Sequence, residues 1–163
     1  MFKVGTNKYS ARVTDFGYST RLASEDEDIP MPKSWPWYAP EYRLYCNQAQ
    51  GRKMDIFSFG MLCLWVMFEK YLSATAPLPQ EALWAEQYLP NKTEKNQSKR
   101  FLEELKNTDK LVLFAQQLVT AERDLVDSQK QALRKMFGAS LPCSPDERAA
   151  DLKQLVICLT STE

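Results

Sequence analysis

The longest unbroken apolar stretch of the chain runs from Phe59 to Phe68, inside a span from Ile56 to Phe68 where Ser58 is the one residue with a polar side chain. The pattern predicts a helix over about residues 53–71, apolar on every side. A helix of that kind either spans a bilayer or is wrapped by other helices. This one is too short to span, which places it at the centre of a helical core. Asp55, near the predicted start, suits the positive end of a helix dipole.

Upstream, FKVGTNKYSARVTDF reads as a β-hairpin: Phe2 to Val4, a Gly-Thr-Asn turn, then Tyr9 to Thr14 with Ala11 and Val13 on one face. The stretch YSTRLASEDEDIPMPKSWPWYAP follows, and its four prolines and acidic cluster Glu25–Asp28 argue against any regular element there. From Pro40 onward the pattern is helical. An amphipathic helix is predicted near 79–89, a polar connection follows, and further helices are expected at about 98–107, 109–125 and 128–137. Asp127 can cap the last of these and Gly138 can end it. Ser144, Pro145 and Glu147 form a helix-start signature, with a cap, a first-turn proline and a capping-box partner. The fold class expected is therefore mainly α with a short N-terminal β-hairpin, in one domain over 1–163. Its parts are a hairpin at 1–14, a segment at 15–41 and a helical subdomain at 42–163.

Composition narrows the chemistry. Twenty-one basic and twenty-one acidic residues cancel, so charge makes no case for nucleic acid or an acidic membrane surface. The first residues carry no signal-peptide pattern and no segment reads as membrane-spanning, so an intracellular, cytoplasmic protein is expected. Cys46, Cys63, Cys143 and Cys158 are scattered and read as free thiols. The chain has no histidine, which excludes Ser-His and Cys-His nucleophile systems and any histidine base. It also makes a zinc site improbable.

Four signals occur in order. Asp15-Phe16-Gly17 follows the hairpin, and Tyr38-Ala39-Pro40-Glu41 comes next, with Glu41 twenty-six residues after Asp15. KMDIFSFGMLCLW occupies 53–65, and Arg148 lies in SPDERAADLKQL. A tripeptide alone is a common turn, but the four together, at these spacings, resemble a protein kinase domain from its Asp-Phe-Gly motif to its last helix. The run PKSWPWYAPE with KMDIFSFGMLCLW is most similar to a group of kinase-like proteins from filamentous fungi.

The resemblance implies roles. Asp15 would hold the Mg²⁺ that bridges the ATP phosphates, since a hard cation takes anionic oxygen. Phe16 would pack beneath the nucleotide and Gly17 would turn the backbone. Glu41 would form a buried ion pair with Arg148, and Asp55 would accept hydrogen bonds from a catalytic-loop backbone. Ser34 and Trp37 would belong to the substrate loop. Ser34 stands where serine/threonine kinases carry a hydroxyl, and Trp37 where tyrosine kinases carry tryptophan; serine/threonine specificity is the expectation. Ser19, Thr20 and Ser24 are loop hydroxyls open to phosphorylation. The cluster from Ser24 to Asp28 reads either as a solvated loop tip or as fixed charge mimicking a phosphate.

Parts of a kinase are missing from these residues. No G-x-G-x-x-G occurs, no ATP-anchoring lysine strand is present, and the fourteen residues before Asp15 leave no room for a His-Arg-Asp loop. The expectation is a fragment whose Met1 is an internal methionine of a longer kinase, inactive as an isolated chain. ATP, Mg²⁺ and a protein substrate would then belong to the intact parent. The resemblance also leaves one side of the Met61–Phe68 helix without its usual cover. Baring ~400 Å² there would cost about 10 kcal/mol at ~25 cal/mol per Å². The other reading is a non-catalytic interaction module whose partner covers that helix.

Overall fold

Asn47 starts the longest helix of the computed structural model, which describes residues 2–3, 9–10, 19, 24, 27–90 and 96–160. Its side chain accepts from the Gln50 N–H at 3.0 Å, while Gln50 Oε1 accepts from the Asn47 N–H at 3.2 Å. This reciprocal cap sets the start of α1 at Gln48, and the helix runs to Leu72. The apolar pattern begins later than the cap, which is why it suggests a start near 53. Asp55 consequently lies two turns inside α1, beyond the reach of the helix dipole.

α1 buries Phe57, Met61, Leu64, Phe68 and Leu72, a stripe at i+4 and i+3 steps. Against it pack α2 (Gln97–Asn107) with Phe101, Leu102 and Leu105, α3 (Leu111–Ala121) with Phe114, Ala115 and Leu118, and α4 (Asp127–Ser140) with Met136 and Phe137. Phe114 meets Phe101 edge-on at 5.3 Å, and Phe68 lies 6.3 Å from Phe137. The first contact joins α2 to α3 and the second α1 to α4, and all four rings belong to one buried cluster. The opposite side of α1 differs from the wrapped helix that the pattern suggests. Leu62 and Val66 stay 51% and 69% exposed, and Phe59 is open as well.

Three other elements depart from expectation. Residues 80–88 form a 3₁₀ helix (Gln80–Tyr88) rather than an α-helix. Its three-residue turn stacks Ala82 and Ala85 on the core side, and both are fully buried. Gly138 sits inside α4, which ends at Ser140. Asp127 is the first helical residue, not the cap, and Gln129 reaches back to the Val126 N–H. The Ser144 signature produces only the short 3₁₀ turn Pro145–Glu147 without a side-chain cap, and α5 (Leu152–Thr160) begins later. Arg148 falls between the two, where the chain leaves helical geometry to reach its partners.

The strands are short. β1 (Phe2–Lys3) pairs antiparallel with β2 (Tyr9–Ser10), and the predicted turn and Thr14 lie outside the described residues. A second pair, β3 (Ile29–Pro30) with β4 (Tyr45–Cys46), crosses the stretch read as irregular. Its register is Ile29 opposite Cys46, and the Met31 N–H extends it to the Leu44 carbonyl at 2.9 Å. A two-residue edge pairing asks little of a proline. Among the described residues no helix is long and apolar enough to cross a membrane.

Gly60 marks the closest helix approach. A Cβ there would lie 2.5 Å from Ser140 Oγ, 2.8 Å from Ser140 Cβ and 2.9 Å from Leu141 Cδ2. Gly138 has room: its Cβ would meet only Gln116 Nε2, at 3.5 Å. Gly60→Ala should therefore lose about 1–3 kcal/mol in urea unfolding. Gly138→Ala should gain about 0.5–1 kcal/mol, since it relieves a mid-helix glycine. Equal effects at the two sites would contradict the packing described.

Candidate functional site: a loop held between two buried cations

Residues 34–42 form turns and irregular backbone outside the two short sheets. Their backbone groups must find partners elsewhere. The Ser34 carbonyl accepts from the Tyr38 N–H at 3.0 Å, and the Ala39 carbonyl from the Tyr42 N–H at 3.0 Å. Three of the carbonyls between them, those of Pro36, Trp37 and Tyr38, are met by side chains. Lys106 Nζ on α2 donates to Pro36 O at 3.0 Å and Tyr38 O at 3.2 Å. On the α1 side, Ser58 Oγ shares its one proton between the Trp37 and Met54 carbonyls, each 3.0 Å away.

Glu103, one turn before Lys106, completes the α2 side. Its Oε1 accepts from the Tyr38 hydroxyl at 2.7 Å. Its Oε2 is shut off from water and lacks a directed hydrogen bond, and Lys106 Nζ compensates it as an ion pair at 2.7 Å. The ammonium also lies 3.7 Å from the centre of the Tyr38 ring. Burial holds the Lys106 pKa below the ordinary lysine value, against the pull of Glu103. The hydrogen bond to Glu103, followed by burial, pushes the Tyr38 phenol up to about 12.

At the other end of the loop, Arg148 takes Glu41 in a two-pronged pair, Nη1 to Oε1 at 2.6 Å and Nη2 to Oε2 at 2.8 Å. Its remaining N–H groups reach Pro142 O at 2.7 Å, Lys53 O at 3.1 Å and Cys143 O at 2.8 Å. All five guanidinium donors are used. Lys53 Nζ answers by donating to Arg148 O at 2.7 Å. The arginine side chain is fully buried and the glutamate is 23% exposed, with the guanidinium 4.7 Å from the Phe57 ring centre. Cys143 links the two cations: its carbonyl serves Arg148, and its thiol donates to Lys106 O at 3.3 Å. Burial first, then Asp109, pushes that thiol up to about 12, so it stays protonated.

Of the residues singled out from sequence, the structure brings Glu41 and Arg148 together as the resemblance implies. Ser34 is exposed on the loop. Trp37 turns inward, edge-on to Trp65 at 5.5 Å. Asp55 makes no hydrogen bond or ion pair with any described residue; its neighbours crowd the carboxylate enough to raise its pKa, although the residue as a whole is exposed. Asp15, Phe16, Gly17 and Thr20 lie outside the described residues, while Ser19 and Ser24 are exposed. Lys106, Glu103 and Ser58 were not anticipated. A signal for Lys106 did exist: it is a lysine four residues after Leu102 and one after Leu105, on the stripe of α2 that should be core.

Searches against protein-family models, curated proteins and solved structures each return no match.

Arg148→Met should cost about 3–5 kcal/mol in urea unfolding, because it strands Glu41 and three carbonyls. Arg148→Lys should recover little of this, since an ammonium has three donors on a different geometry. For Tyr38 the sign follows from its raised pKa. The unfolded phenol loses its proton near 10.0 and the folded one near 12, so its contribution is whole below pH 10.0 and is lost as pH rises towards about 12. Across that window Tyr38→Phe should show a shallower loss of stability than the wild type; a steeper loss would reverse the assignment.

Proposed function

We propose that this chain forms the helical C-terminal lobe of a protein kinase-like domain, with residues 15–41 as its activation segment. The observation that supports this most is the Glu41–Arg148 pair. A motif glutamate at the end of that segment meets an arginine 107 residues later, and the arginine's five donors are all satisfied. Chance helical sequence gives no reason for such a pair. The exposed side of α1, with Leu62 and Val66, supports the same reading, since the resemblance implies a further helix over that helix and a catalytic loop at Asp55.

In this proposal Asp15 carries Mg²⁺ and, with Phe16 and Gly17, borders an ATP site that needs further chain to be complete. The substrate is a protein serine or threonine hydroxyl presented beside Ser34, and ATP as donor places the work inside the cell. Phosphoryl transfer is mainly positioning and electrostatic stabilisation. Residues 1–163 lack the Gly-rich loop, anchoring lysine and catalytic base for it. By themselves they are proposed to be inactive.

The second reading, an interaction module derived from such a lobe, is favoured by one feature: the exposed apolar stripe Phe59, Leu62 and Val66. The two separate on the endogenous product, recovered with an antibody against residues 91–100 and assayed for transfer from ATP-Mg²⁺ to serine peptides. The kinase reading expects a product well above 18.8 kDa whose transfer is abolished by Asp15→Asn. A product of 18.8 kDa without transfer leaves the interaction module.

A further inference from the structure

We infer that Lys106 is the positioning residue of the loop, fixing the Trp35–Tyr38 backbone through its own charge rather than merely balancing Glu103. The argument is an account of carbonyls. Pro36 O and Tyr38 O lie in a turn that the Tyr38 N–H closes on Ser34 O, and a single ammonium collects both. Trp37 O is met instead from α1, where it shares the Ser58 proton with the Met54 carbonyl. The segment is thus strung between α2 and α1, and its orientation is set by donors that are not part of it.

Apolar packing anchors Trp37 and Ala39 on the core but does not satisfy the carbonyls between Trp35 and Ala39, and Trp35 itself is 38% exposed with Lys99 Nζ 5.8 Å from its ring centre. Lys106, by contrast, keeps only 2% of its side chain exposed. A buried ammonium is costly unless its protons find acceptors, and here two of the acceptors are loop carbonyls. Any change that removes those donors leaves Pro36 O without its hydrogen bond. The backbone can recover that bond only by moving out to water.

That Trp35–Tyr38 lies beside the substrate rests on the kinase-lobe reading. The positioning by Lys106 does not, and its test uses this chain without any activity. Hydrogen exchange across 34–42 is compared in the wild type, Lys106→Met and the charge-balanced double variant Lys106→Met/Glu103→Gln. In the double variant, Glu103→Gln keeps an amide oxygen as acceptor for the Tyr38 hydroxyl and removes the stranded carboxylate.

The expected result is exchange about tenfold or more faster across 34–42 in both variants, with α3 unchanged. Wild-type exchange in Lys106→Met, or its return in the double variant, overturns the inference, because Lys106 would then serve only to neutralise Glu103. If neither variant folds, the wild type decides. Its Lys106 ¹⁵N ammonium should show hydrogen-bond scalar couplings to the Pro36 and Tyr38 carbonyl carbons, and freely exchanging, uncoupled ammonium protons overturn the inference.

Discussion

A buried guanidinium with every donor occupied is the constraint on which this architecture depends. Arg148 draws Glu41 and the Lys53 turn of α1, 107 and 95 residues before it, to the neighbouring 142–143 turn. A charge taken from water is tolerable only when its geometry and its hydrogen bonds are both complete. Here the requirement of complete hydrogen bonding dictates where three segments must lie. The same requirement explains why the chain breaks helix between Pro145–Glu147 and α5: a continuous helix would carry Arg148 away from Pro142 O and Cys143 O. Ala149 then binds back to Ala139 O at 2.8 Å and packs with Ile56 and Leu155, which seats α5.

The second cation does related work with different chemistry. Arginine suits the Glu41 end because a planar fork matches a carboxylate and still serves carbonyls around its edge. Lysine suits the other end because a compact ammonium can gather two carbonyls of one turn. Cys143 bonds to the Arg148 guanidinium through its carbonyl and to the Lys106 backbone through its thiol. The loop 34–42 is therefore tied to donors outside itself, in α1, α2 and the turn before α5.

Much of the core was legible in the sequence. The span Ile56–Phe68 announced the central helix, and the helices expected at about 98–107 and 128–137 match α2 and α4. Boundaries were less legible where polar contacts decide them. The Asn47–Gln50 cap lies in a polar stretch that carries no hydrophobic period, and Gly138 resembles a stop although the helix packs through it. Glu41 and Arg148 were paired only through resemblance, because nothing local links residues so distant. Lys106 stood on the core stripe of α2 and could have been flagged as a buried cation. Its partners could not have been named, since they are backbone carbonyls, which every residue carries.

The exposed stripe Phe59, Leu62 and Val66 on α1 is the feature on which both functional readings draw. Both presuppose that the loop and the last helix are locked together through Arg148. A double-mutant cycle between Glu41→Gln and Arg148→Met, read by urea unfolding, tests that lock most directly. The account predicts strong coupling, about 2–3 kcal/mol short of additivity, because each substitution breaks the same pair. Additive losses within about 0.5 kcal/mol would mean that the pair does not act as a unit, and would contradict the account.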